Sequence, residues 1–279
     1  MTAACSPSGK NAASAEKERA GVAYLTRFVP LTQALQTHRS MAMGFVAGDT
    51  LVEFGPIEER IASGLTTFSR FDQQHNELEG VRERWTPLHK QIRDLMESWR
   101  ERPRECFQEH TEVIAAALAF ATYIGDTSTL HLDTNADVHA LADAAITVIP
   151  DLSEAVGQVR DMVAAMTGGM GAVVREEEKT LLERQLKNIR KQLDAIKADY
   201  EQVYSVDEKM RSLLEPQREV VDQVMAPVLD RIEHQVIGME YVTMPTDDWT
   251  PKATVAVEAI QALHDKSLAV LQARLSAHK

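Results

Sequence analysis

Two arginines stand where an aliphatic residue would be expected. Leu31, Leu35, Arg39 and Met43 recur every fourth residue, and so do Leu152, Val156, Arg160 and Ala164. Residues four apart share one face of a helix, so each arginine sits on an apolar stripe. Arginine stays protonated inside proteins. A guanidinium taken out of water therefore needs a counter-ion, or its desolvation is strongly unfavourable. That counter-ion can be an Asp or Glu of a facing helix, or a bound anion. The planar fork of five donors matches a planar oxyanion such as a carboxylate, nitrate or nitrite. Spacing alone leaves three solutions open: an internal salt bridge, a side chain that snorkels out of the stripe, and a ligand.

The two stripes belong to a repeat at an offset of 121 residues. Leu31-Thr32-Gln33-Ala34-Leu35 aligns with Leu152-Ser153-Glu154-Ala155-Val156, Arg39 with Arg160, Met41 with Met162, Ala42 with Val163 and Gly48 with Gly169. A helical hairpin duplicated at about 31–79 and 152–204 accounts for the pattern. Other residues offer less. Cys106 and His110 are four apart on one helix face, but no second pair has ligand spacing, so no metal site is expected. Gly168-Gly169-Met170-Gly171 follows a helix and lacks the Lys-Ser/Thr of a phosphate loop. No Ser/His/Asp or Cys/His constellation can be assembled, so no catalytic residue and no cofactor are expected and the chain reads as a non-enzyme.

The elements that must position the arginines are helices. The 279 residues include only 13 glycines and 10 prolines, about 8% against an average near 12%. So few turn formers argue against an all-β fold and against glycine-rich nucleotide loops. A net charge of -12 disfavours a nucleic-acid partner. No apolar run approaches a membrane span. Periodicity places about eight helices, at about 14–48, 56–79, 87–100, 103–124, 134–168, 173–204, 205–238 and 251–277. Pro150 breaks or kinks the fifth, with Asp151-Leu152-Ser153-Glu154 as the cap of a restart. Ser205-Val206-Asp207-Glu208 reads as a second capping box, and Thr250-Pro251 as the start of the last helix. The fold class is all-α: long antiparallel helices forming two four-helix bundles. Residues 1–14 read as a disordered tail and 15–277 as the helical domain.

Leu35-Gln36-Thr37-His38-Arg39-Ser40-Met41-Ala42 resembles the signature helix of the nitrate- and nitrite-sensing (NIT) domain. Leu130-His131-Leu132-Asp133, Val138–Asp143, Pro150-Asp151-Leu152 and Gly157-Gln158-Val159-Arg160 are similar to the helical ectodomains of bacterial chemoreceptors. The segment Thr254–Arg274 looks like the one that precedes the second membrane helix there. The resemblance spans about Ala15–Ala277. It implies a sensor of double four-helix-bundle form that holds a small anion between arginines and passes helix shifts to an unknown signalling partner, in places as a homodimer. Arg39 matches the signature arginine, and Arg160 a later one through the repeat. His38 is a further candidate ligand, and Arg211 or Arg218 could supply another donor. His38 stands where an arginine or glutamate is frequent and Ser40 where a glycine is usual, which leaves nitrate, nitrite or a small carboxylate open as the anion.

The competing expectation is a structural or protein-interaction bundle whose arginines are paired internally and bind nothing. A carboxylate within reach of both arginines, with no cavity beside them, would favour it. The start, Met1-Thr2-Ala3-Ala4-Cys5, looks like the mature beginning of a lipoprotein without its apolar leader. Cys5 is thus a candidate lipid attachment point of a periplasmic protein, against a plain cytoplasmic N-terminus.

Overall fold

The computed structural model describes residues 7–167, 173–242 and 244–277. Cys5 and the glycines Gly168, Gly169 and Gly171 lie outside them. The α-helices are α1 (Pro7–Val46), α2 (Gly55–Gln74), α3 (Val81–Ser98), α4 (Cys106–Thr127), α5 (Ala136–Asp143), α6 (Ile149–Thr167), α7 (Glu176–Val206), α8 (Arg211–Ile232) and α9 (Thr246–Ala277). Among the described residues there is no strand, only one isolated bridge between Val173 and Tyr241. The chain is all-α, as its periodicity predicts.

Helices α1 to α4 pack into one bundle and α5 to α9 into a second. The first core is aromatic. Phe28 meets Phe68, Trp85 and Phe120 edge-on or tilted, at centroid distances of 5.3, 6.0 and 5.0 Å. The second core is mostly aliphatic, closed by buried Trp249 and Tyr200. Helix α1 belongs to both. It packs on α2 and α4 within its own bundle and on α6 and α9 of the other. Residues on the far side of α1 therefore face a second set of helices instead of solvent, and a polar group there must find protein partners.

Three boundaries differ from the sequence expectation. Helix α1 already begins at Pro7, inside the segment read as a tail. Helix α9 starts at Thr246, four residues before Thr250-Pro251. The third difference shapes the site. Pro150 does not end a helix: α5 and α6 form one continuous rod joined by a π-helical turn, Ala144–Val148. A proline lacks the N–H that closes the preceding turn, and a wider turn absorbs that loss. In it the Ile149 N–H bonds the Ala144 carbonyl five residues back. The Ala145 carbonyl is thereby released, and it accepts from the buried His264 of α9. Asp151-Leu152-Ser153-Glu154 is consequently no cap. Likewise the second capping box shifts: Asp207, not Ser205, caps the next turn, its carboxylate accepting from the Lys209 N–H at 3.1 Å.

Candidate functional site

Arg39 lies at the α1–α6 contact, and its side chain is wholly buried. Its Nε donates to Asp161 Oδ2 at 2.9 Å. Nη1 donates to Glu154 Oε1 and to Thr111 Oγ1 of α4, the latter at 3.2 Å. Nη2 donates to Glu154 Oε2 at 3.3 Å. Four of the five N–H donors are thus engaged, and Phe107 lies beneath the guanidinium with its centroid 5.5 Å away. Burial alone would lower the Arg39 pKa, but the fields of Glu154 and Asp161 outweigh it and hold the group cationic.

Helix α6 supplies the answering groups from one face. Glu154, Gly157, Gln158 and Asp161 follow i, i+3, i+4, i+7 spacing. A Cβ on Gly157 would meet Nη2 of Arg39 at 3.1 Å, so the bare backbone there is what lets the guanidinium lie against α6. Arg160, on the neighbouring face, is also buried. Its Nε donates to Asp161 Oδ1 at 2.9 Å, while its Nη2 is buried without a hydrogen-bond partner among the described residues. Asp161 therefore bridges the two arginines, one on each oxygen. The Trp249 indole of α9 donates to the Arg160 carbonyl at 2.9 Å and fixes that turn of α6.

The glutamines tie this cluster outward. Gln36 Nε2 donates to Glu154 Oε2 at 3.1 Å, and Gln158 Nε2 to Glu154 Oε1 at 2.9 Å. The Gln36 carbonyl in turn accepts from Ser153 at 3.2 Å and from Gln261 of α9 at 3.3 Å. Gln158 accepts from Gln185 of α7 at 3.1 Å. Two cations and two carboxylates balance within this core. A cavity of about 20 Å³, room for one water, touches Gln36 and Ser153 but is otherwise lined mainly by Leu25, Val29, Ile146 and other apolar groups, and neither arginine lines it.

The structure thus brings Arg39 and Arg160 together through one carboxylate. It does not add the other candidates. His38 turns the opposite way, into the first bundle, where it stacks on His110 at a centroid distance of 5.1 Å and meets Trp99 edge-on. His110 donates from Nδ1 to the Cys106 carbonyl at 2.7 Å, so its Nε2 must accept from His38 Nδ1 at 2.8 Å. Burial, reinforced by Arg100, pushes the His38 pKa down to about 4. Burial likewise takes His110 to about 4. Cys106 and His110 are core residues, not a surface pair, and among the described residues no three His, Cys, Asp or Glu groups converge as for a metal. Arg211 bonds Glu208 and Glu201 of α7 and so clasps α7 to α8, whereas Arg218 bonds Glu215 and Asp222 of its own helix. Periodicity missed Glu154, Gln158 and Asp161, because a polar row on a helix normally faces water.

Comparison with known proteins follows the same line. A family model described as nitrate and nitrite sensing matches residues 30–272. The structure of the NasR transcription antiterminator superposes with a TM-score of 0.70 at 14% identity, over 95% of this chain and 71% of that one. At such identity the likeness is one of fold. No curated protein matches the chain in sequence.

Proposed function

Given that the chain belongs to the nitrate- and nitrite-sensing family, we propose that it is a non-catalytic sensor domain whose small anion is received by Arg39 and Arg160 where α1 meets α6. The observation that carries this reading is the buried Nη2 of Arg160, which has no hydrogen-bond partner among the described residues, beside a second buried guanidinium. A buried donor without an acceptor is unfavourable, and an oxyanion would relieve it. The site sits on α1, which packs against helices of both bundles. An anion that binds two α1–α6 arrangements unequally would shift their populations, and a coupling of ~1–3 kcal/mol suffices for a useful response. The signal would leave through α7 and α9, which the glutamines contact, toward a partner or a second copy of the chain.

A second reading is a helical bundle without a ligand, and a specific observation favours it: Asp161 bonds both arginines, Glu154 takes two more donors of Arg39, and neither arginine lines the small cavity nearby. Thermal melting in nitrate, nitrite and formate, against chloride at equal ionic strength, separates the two. The sensor reading expects a rise in melting temperature that Arg39→Ala and Arg160→Ala abolish. A flat response in all three anions leaves the ligand-free bundle standing.

A further inference from the structure

The Glu154 carboxylate is bound as a ligand would be. Each of its oxygens accepts one guanidinium N–H and one glutamine N–H: Oε1 from Arg39 Nη1 and Gln158, Oε2 from Arg39 Nη2 and Gln36. Four donors from two helices converge on a planar group with two oxygens on one atom. Such a cradle fits nitrite, nitrate or formate with the same contacts, because these anions share the planar O–X–O edge and a single negative charge. A tetrahedral dianion fits neither the plane nor the charge balance.

The two carboxylates of the site are not equivalent. Asp161 is 1% exposed and bridges both arginines, so its removal would strand two cations. Glu154 retains 9% exposure while Arg39 has none, which puts it on the solvent side of the guanidinium. Glu154 also engages one arginine only. Exchange of Glu154 for a free monovalent anion keeps the buried charge at zero. Its departure also frees the two glutamines whose other contacts reach Gln261 of α9 and Gln185 of α7.

We infer that Glu154 is a tethered internal competitor, occupying the anion subsite formed by Arg39, Gln36 and Gln158 and yielding it to planar monovalent oxyanions. This rests on the sensor reading above, narrows its donor set to Arg39 with Gln36 and Gln158, leaves Arg160 to hold Asp161, and adds the occupant of the empty state and the selectivity. A protein whose competent state is only fractionally populated shows an affinity reduced by that fraction. Removing the competitor should therefore tighten binding.

The experiment is calorimetric and thermal titration of the full chain with sodium nitrite, nitrate, formate and sulfate, for the wild type, Glu154→Gln and Glu154→Asp. The first variant removes the charge. The second keeps it on a stem too short for the cradle, and serves if the first does not fold. Nitrite or nitrate should half-saturate either variant at a concentration about tenfold or more below that for the wild type, and Gln158→Leu should weaken binding in either background. A response seen in the variants alone means that Glu154 blocks the subsite without yielding it, and overturns the competitor and the sensor reading of the wild type. A wild type that responds while both variants respond equally or less overturns the competitor and leaves the sensor reading intact. Silence in all three proteins overturns both. Sulfate binding as well as nitrate overturns the planar cradle.

Discussion

Replacing Arg39 by methionine asks the most of the geometry. The side chain is wholly buried, so methionine keeps much of the stem's packing and removes only the charge and its four hydrogen bonds. Arg160 still answers Asp161. Glu154 keeps Gln36 and Gln158 but loses its cation, and the core is left with one uncompensated negative charge. Breaking a buried pair from one side typically costs about 3–5 kcal/mol. For a chain of this size that corresponds to a fall in melting temperature of roughly 10 °C. The double variant Arg39→Met/Glu154→Gln restores neutrality, and a coupling of about 2 kcal/mol should be recovered in the cycle. Urea unfolding of the four proteins at pH 7.5 measures it. If Arg39→Met costs under about 1 kcal/mol and the double variant is merely additive, Arg39 is solvated and the buried ion network described above does not exist.

Further outcomes follow from neighbouring groups. His38, His110 and His264 are held neutral, each with a pKa pushed down to about 4 chiefly by burial, against 6.5 when unfolded. The unfolded chain therefore binds protons that the folded chain refuses. Stability is full above pH 6.5 and falls as pH drops toward 4, by up to ~1.4 kcal/mol per pH unit for each histidine, and His264→Gln should flatten a pH series of urea midpoints. Gly157→Ala would ordinarily gain about 1 kcal/mol in a helix, but its methyl would press on a guanidinium pinned by three partners. A net loss of about 1 kcal/mol is expected in thermal melts. Trp249→Phe removes the indole bond to the Arg160 carbonyl and should cost about 1–3 kcal/mol by the same measurement.

Local physics made much of this molecule legible in its sequence. Three- and four-residue spacing gave the helices, and the scarcity of glycine and proline left room for little else. The same spacing placed Arg39 and Arg160 on buried stripes, because side-chain direction along a helix is fixed by its pitch. What periodicity does not encode is which faces meet. Glu154 reads as part of a cap after a proline, and nothing in the spacing singles out Asp161; both are buried where α1 packs on α6. His38, one residue from Arg39, points into the other bundle because adjacent helical positions are about a quarter-turn apart. The π-turn before Pro150 frees a carbonyl that only a distant residue answers: His264, 119 residues beyond Ala145, bonds it. Sequence thus determined the cations and their helices. Tertiary packing decided their counter-ions, since a buried charge is answered by whatever group the neighbouring helix brings within hydrogen-bond reach.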